Sequence, residues 1–162
     1  MALQQRLDGT WLSLGVDDLI RAISHGPDDN GAGGSIDFGS DGSVIVHEQF
    51  RQAEKAWYAG LAAIARAGTG VIVDEVFLDG GRTQARLEAA FEGLVVLWVG
   101  VQCQPGVAET REVRRGDRTR GMARDQAERV HEGVRYDVVV DTTASSSAEG
   151  AEVVFAVISG SA

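Results

Sequence analysis

Apolar runs and helical periodicity alternate along this chain. Leu94–Val101 is a continuous apolar run, and Val71–Phe77 is apolar except for two adjacent acids. Runs of this kind are typical of strands covered on both faces. The clearest helical pattern places apolar residues three and four positions apart at Phe50, Ala53, Trp57, Leu61 and Ile64. Strands that alternate with helices predict an α/β fold, a parallel sheet with helices on both faces.

The same pattern sets the expected element boundaries. Strands are expected at Thr10–Val16, Val71–Phe77, Leu94–Val101 and Tyr136–Val140. Helices are expected at Asp17–Ile23, His47–Ala67, Thr83–Phe91, Val107–Arg115, Met122–His131 and Ser145–Ile158. The Gly- and Ser-rich stretch Ser24–Ser43 predicts a loop, and Ser35–Phe38 with Ser43–Val46 predicts a small hairpin. Ala2–Gly9 has the pattern of a helix end without a start, which predicts that Met1 falls inside a longer helix.

Length and charge narrow the class of protein. A chain of 162 residues fits one domain with a sizeable core. The formal charge of −9 argues against non-specific nucleic-acid binding, which requires a basic face. With no apolar run of membrane-spanning length and no signal peptide, the expected location is the cytoplasm, without membrane contact. The single cysteine, Cys103, excludes an intrachain disulfide.

Carboxylates lie where the predicted strands end. The four positions are Asp17, Asp74, Glu75 and Asp141. Ligands of parallel sheets bind outside the carboxyl ends of the strands, where a carboxylate can take a proton from a hydroxyl or hold Mg²⁺. Of the four, we expect Asp17 to be the base, because it ends its strand shortly before a long loop. The alternatives are that Asp17 caps a helix, although Asp18 could do so, and that Asp74 and Glu75 only solvate a strand end.

An arginine-rich segment is the second candidate. Five arginines lie within the ten residues 111–120, in an otherwise acidic chain. A guanidinium group binds two phosphate oxygens at once and stays charged. With Gly116 and Gly121 as hinges, the segment could therefore close over a phosphoryl donor. The alternative is a solvated helix face, because Glu109, Glu112 and Asp117 are interleaved. The chain has no G-x-x-x-x-G-K-[ST] phosphate loop.

Several segments together resemble one family. They are Trp11–Leu12 with Gly15–Ile20, Val73–Leu78, Val96–Val101, Arg115–Arg118 with Gly121–Ala123, and His131–Gly133 through Tyr136–Asp137 to Asp141–Thr143. In this order, and over nearly the whole chain, they resemble the chloramphenicol 3-O-phosphotransferases. The resemblance implies a P-loop kinase-like fold and transfer of the γ-phosphate of ATP, with Mg²⁺, to a primary hydroxyl of chloramphenicol.

The resemblance also assigns residues. Asp17 falls on the general base, and Arg115 and Arg118 fall on lid arginines near the phosphates. Asp74 falls on the strand at the nucleotide edge, where it would contact Mg²⁺ directly or through water. The implied division of the single domain 1–162 is a substrate loop and hairpin at 24–46 and a lid at 111–123.

The acceptor pocket is implied to lie in the same part of the fold. The family shapes it with the segment His25–Val46. Phe77 and Leu78 fall beside that segment and would contact the substrate.

One departure from the family is large. The family opens with a central strand, a lysine-bearing phosphate loop and a helix, of which only the helix end is expected here. The strand would lie between Val71–Phe77 and Leu94–Val101. Because it and the phosphate loop are not in this sequence, we expect a truncated or degenerate member with poor activity. The alternatives are a ligand-binding or subunit-pairing protein, such as a homo-oligomer, and a kinase of the same fold with another acceptor.

Overall fold

The computed structural model describes residues 2–23, 36–39, 43–115 and 122–160. These form an α/β fold with parallel strands, as predicted, consistent with a P-loop kinase-like architecture. The elements in chain order are β1 (Trp11–Gly15), α1 (Val16–Ala22), β2 (Ile36–Phe38), β3 (Val44–Val46), α2 (Glu48–Arg66), β4 (Gly70–Asp74), α3 (Gly81–Ala90), β5 (Val99–Gln102), α4 (Pro105–Arg115), α5 (Met122–Arg129), β6 (Val138–Asp141) and α6 (Ser147–Gly160).

The parallel strands form two pairs. β1 pairs with β4 from Trp11↔Gly70 to Gly15↔Asp74, and we call this pair the first half-sheet. β5 pairs with β6 from Val99↔Val138 to Gln102↔Asp141, and this is the second half-sheet. Each pair has its carboxyl ends at one edge, so the predicted acids follow the strands as expected.

Among the described residues, no ladder joins β4 to β5. These are the two strands between which the absent strand was expected, and that strand stays a prediction. The predicted strand Leu94–Val101 is wrong in its first half, because the ladder with β6 begins only at Val99. Residues 95–98 belong to no ladder among the described residues, although the carbonyl of Trp98 accepts from the N–H of Asp137 at 2.9 Å, and Val95 is fully exposed. Apolarity alone does not make a strand where there is no neighbour to pair with.

The main core lies on the first half-sheet. α2 packs on β4, and its amphipathic face buries Tyr58, Leu61 and Ala62 against Leu87 and Phe91. Half-buried side chains from β4 and from the segment 94–98 pack on the same cluster. A second cluster joins α1, α2 and the antiparallel hairpin β2–β3 through Leu19, Ile36 and Phe50. The predicted hairpin is therefore present, and it lies against α1 and α2.

Two other predicted boundaries are wrong. Residues 2–9 form turns rather than a helix end, with Gly9 at a φ of 84°. β4 ends at Asp74 instead of Phe77, because the ladder with β1 stops at the pair Gly15↔Asp74. Over the part of the chain that the structure describes, no helix combines the length and apolarity needed to span a membrane.

Candidate active site

The turn from β1 into α1 determines how Asp17 is presented. Gly15 is the N-cap of α1, and its N–H donates to Asp18 Oδ2 at 2.8 Å. This bond and the ion pair with Arg21 lower the pKa of Asp18 below its usual value. Capping at this turn therefore belongs to Asp18, and the alternative that Asp17 is the N-cap is wrong. Asp17 lies in the first turn of α1, and its side chain is exposed.

Asp74 lies beside the start of this turn. It is the last residue of β4, is exposed, and pairs in register with Gly15. The backbones approach so closely that a Cβ on Gly15 would lie 2.2 Å from the carbonyl oxygen of Asp74. The residue must therefore be glycine, and the contact holds Asp17, two residues on, at the same edge as Asp74. The roles assigned to these two carboxylates stay predictions.

Glu75 differs from its neighbour because its side chain turns inward. Its Oε1 is buried and has no hydrogen-bond partner among the described residues, while the carboxylate accepts a bond from the N–H of Val76. Burial, together with the nearby charges of Glu54, Asp74 and Asp17, raises the pKa of Glu75 to about 8. The alternative that both acids solvate the strand end is therefore wrong for Glu75, which carries a proton at neutral pH.

A buried ionic network lies behind this edge, and sequence reasoning missed it. Glu54, only 5% exposed, accepts hydrogen bonds from Arg51 at 3.0 and 3.1 Å and from the Tyr58 hydroxyl at 3.3 Å. Arg51 and Arg86 both contact Asp79 Oδ2, at 2.6 and 3.2 Å. Burial, with the charges of Glu75 and Glu54, raises the pKa of Tyr58.

The sequence did carry a signal for this network. Arg51, Glu54 and Tyr58 lie three and four residues apart, on the helix face that also carries Leu61. Polar residues on an apolar face indicate buried pairing, because a buried charge is stable only with a partner.

The network binds the loop that follows β4 to α2 and α3. Its two guanidinium groups pair with Glu54 and Asp79, whereas Glu75 is kept protonated by burial and by the nearby charge of Glu54. Phe77, in the same loop, packs on the core and makes an edge-to-face contact with Trp98 at 6.3 Å. Leu78 is half-buried. Their contact with a substrate stays a prediction.

The arginine-rich segment is described in part. Arg111 is anchored at the end of β6, since it donates to the carbonyl of Thr142 at 2.6 Å. Glu112 is 2% exposed and accepts from the N–H of Ala123 at 2.8 Å, which binds α4 to the first turn of α5. The solvated alternative is therefore wrong for Glu112. Arg115 ends α4, and Arg118 lies outside the described residues, as do 24–35 of the substrate loop.

Asp141 follows the second half-sheet and has a local role. It is exposed and accepts from the N–H of Thr143 at 2.8 Å. The hydrogen bonds of Thr143 lower the pKa of Asp141. The structure thus brings Asp17, Asp74 and Glu75 together at one edge and places Asp141 at the end of the other strand pair.

The described residues form only part of a site for a nucleotide with its metal. The 162 residues contain no phosphate-loop pattern. The described ranges contain no group of three His, Cys, Asp or Glu side chains arranged to hold a metal ion. Asp74 supplies one carboxylate at the expected edge, which is not a complete nucleotide site.

Comparison with known proteins identifies the family. Residues 1–159 match the family described as "Chloramphenicol phosphotransferase-like protein". The chain belongs to this family. Two proteins of Mycobacterium tuberculosis, from strains CDC 1551 / Oshkosh and ATCC 25618 / H37Rv, are both named "Putative O-phosphotransferase" and are each 35% identical over 88 residues. The match covers 54% of this chain and 39% of each relative, so it spans less than half the relatives' length. Membership of this family supports a phosphotransferase.

Proposed function

We propose that this protein is a cytoplasmic ATP-dependent O-phosphotransferase that phosphorylates a hydroxyl of a small molecule of the chloramphenicol type. Family membership supports the reaction class, and the family suggests ATP as the phosphoryl donor. The observation that supports this proposal most directly is the arrangement of the acids where β1 and β4 end. There Asp18 takes the capping role and Asp17 is exposed beside Asp74.

In this proposal Asp17 accepts the proton of the acceptor hydroxyl as that oxygen attacks the γ-phosphorus of ATP, and the bond from that phosphorus to the β-phosphate oxygen breaks, so that ADP leaves. A carboxylate that accepts a proton in this way contributes roughly 10²- to 10⁴-fold to the rate. ATP with Mg²⁺ would supply the phosphoryl group, and Asp74 is the described carboxylate that would contact the metal, directly or through water. Arg115 and Arg118 would contact the phosphates.

The proposed acceptor pocket lies along the loop after β4 and the segment 24–46. Phe77 and Leu78 form its proposed wall on the β4 side. The hairpin β2–β3 within that segment packs on α1 through Ile36 and Leu19, so it lies on the side of the fold that carries Asp17. A change of acceptor within the family would therefore fall on these segments.

The direct test uses the full-length gene product, purified and incubated with ATP, Mg²⁺ and chloramphenicol. Mass spectrometry should detect a phosphate monoester of chloramphenicol, and an assay with other hydroxylated compounds should rank the acceptors. Phosphorylation of another compound, with none of chloramphenicol, would replace the substrate and keep the reaction. If the protein phosphorylates no acceptor and does not bind ATP, the phosphotransferase proposal is wrong.

A second candidate function is supported by the split sheet. Among the described residues, β4 and β5 each have a strand partner on one side only. An open strand edge can pair with a strand from another chain. The chain would then act as a subunit whose sheet is completed in an oligomer. Sedimentation velocity of the 162-residue chain should show concentration-dependent association, and a monomer at every concentration would contradict this candidate.

A further inference from the structure

The two half-sheets meet at a contact that the proposed function does not use. The N-terminus of α3, in the first half, holds the turn between α5 and β6, in the second. The N–H of Gly81 donates to the carbonyl of Glu132 at 2.9 Å. Gln84 donates to the carbonyl of Arg135 at 2.7 Å and accepts from its N–H at 2.9 Å. We call these contacts, with those of Gly80, the joint.

The joint is tight and requires its glycines. A Cβ on Gly80 would lie 2.2 Å from the carbonyl oxygen of Glu132, and one on Gly81 would lie 2.4 Å from that of Gly133. Gly80 also has a φ of 54°, whereas Gly81 begins the helix with ordinary geometry. An alanine at Gly81 therefore tests the contact alone. Gln84 is 2% exposed, and both ends of its amide are bonded to one backbone residue.

On one side the joint is fixed to the candidate site. The residue before Gly80 is Asp79, which Arg51 of α2 and Arg86 of α3 both bind. The loop 75–79 leads directly from Asp74 to this anchored position. The joint is thus rigidly related to the edge that carries Asp74 and Asp17.

On the other side the joint is connected to α5 and, through α5, to α4. Glu132 N–H donates to the carbonyl of Arg129, the last residue of α5. The first turn of α5 is bound to α4 by the buried carboxylate of Glu112. A shift of the turn would therefore move α5 and alter its contact with α4.

We propose that Gly81 and Gln84 are positioning residues that hold α5, and through Glu112 the helix α4 that ends at Arg115, in place relative to Asp74. This inference rests on the proposed function only for its catalytic consequence. Misplacement of a catalytic group by about 1 Å can cost on the order of 10²-fold in rate. The joint would thus affect the chemical step without touching the substrate.

The test compares Gly81→Ala with Gly60→Ala in the full-length protein. Gly60 lies in α2, where an added Cβ would meet nothing within 4 Å, so it is the matched control. We expect Gly81→Ala to lower kcat roughly 10- to 100-fold while the acceptor KM changes less than about twofold. Hydrogen exchange should become faster at the amides of 130–135 and α5. Gly60→Ala should change neither quantity.

Gln84→Glu is a second variant if Gly81→Ala fails to fold. When ionised at high pH, the new carboxylate keeps the acceptor for Arg135 N–H but loses the donor to the carbonyl. Protonation at lower pH restores that donor, so protection of the turn should recover as pH falls, which simple destabilisation would not predict. Normal protection of α5 in both variants would show that Gly81 and Gln84 do not position this helix. Faster exchange with normal kcat would show that this positioning has no catalytic role. If the unmodified protein has no activity, the proposed function fails, and exchange still decides whether the joint positions α5.

Discussion

The ends of the two half-sheets carry similar acids in opposite environments. At the end of β4, the side chain of Glu75 is buried behind Asp74, and burial raises its pKa to about 8. At the end of β6, Asp141 is exposed, and the hydrogen bonds of Thr143 lower its pKa. Both positions follow an apolar run in the sequence. A strand end therefore predicts where a carboxylate lies, while the packing behind the strand decides its protonation.

The largest expected effect is on catalytic activity, and it should differ between the ends of the two half-sheets. Asp17→Asn in the full-length protein should reduce kcat by roughly 10²- to 10⁴-fold, because the amide cannot accept the hydroxyl proton. Binding of ATP should change little, as measured by calorimetry. Asp141→Asn should leave kcat near the wild-type value, since that carboxylate serves a local turn. Near wild-type turnover of Asp17→Asn would show that Asp17 is not the base.

Asp18→Asn is the control on the same turn. It should lower the free energy of unfolding slightly, because its amide oxygen still accepts from the N–H of Gly15 but without the charge, and kcat should be retained. A loss of turnover in Asp18→Asn as large as that in Asp17→Asn would mean that the turn as a whole, and not one carboxylate, is required.

The next effect tests the network behind the β4 end. Arg51→Met removes three hydrogen bonds, two to Glu54 and one to Asp79. Breaking a fully buried ion pair costs about 3–5 kcal/mol, but the Arg51 side chain is 27% exposed, so we expect about 2–3 kcal/mol by urea unfolding. The control is Arg135→Met, whose pair with Glu88 is exposed and should contribute at most about 1 kcal/mol. Equal losses in the two variants would contradict the importance of burial.

These two regions show what sequence can and cannot predict here. α2 and the start of β4 were predicted closely because their patterns are set by a core that each buries directly. The segment 94–98 was predicted as strand and has no ladder, because pairing depends on a neighbour and not on apolarity. Arg111 has the same sequence signal as a phosphate ligand, yet it is bound to Thr142. Local patterns do not state which partner a charged side chain meets.

Glu75 shows the same limit within the site. Asp74 and Glu75 are adjacent acids, and the alternation of side chains along a strand predicts that they face opposite ways. That alternation could have predicted which of them turns inward. It could not have predicted Glu54 and Tyr58, which come from a helix 17 or more residues earlier in the chain.

The pH dependence of stability should reveal the buried acid. The pKa of Glu75 is near 8 in the folded state and near 4.5 when unfolded, so the folded state holds one more proton between these values. The free energy of unfolding should therefore fall as pH rises through this window, by at most about 1.4 kcal/mol per pH unit, and level off above pH 8. In Glu75→Gln this contribution is absent. Urea unfolding from pH 5 to 8.5 measures the free energy of unfolding of both proteins. If it depends on pH in the same way in both, the buried proton is not on Glu75.

The smallest effect has the opposite sign, at the β6 end. The pKa of Asp141 is lowered in the folded state, so its carboxylate stabilises the protein above the unfolded value of 3.8 and loses that effect as pH falls through the folded value. Asp141→Asn should be slightly less stable than wild type at pH 7, because its amide oxygen still accepts from Thr143 without the charge. The difference should shrink as pH falls below 3.8, measured by thermal unfolding. If it grew on acidification, the two strand ends would titrate in the same direction, and the contrast between a buried and a solvated carboxylate would be wrong.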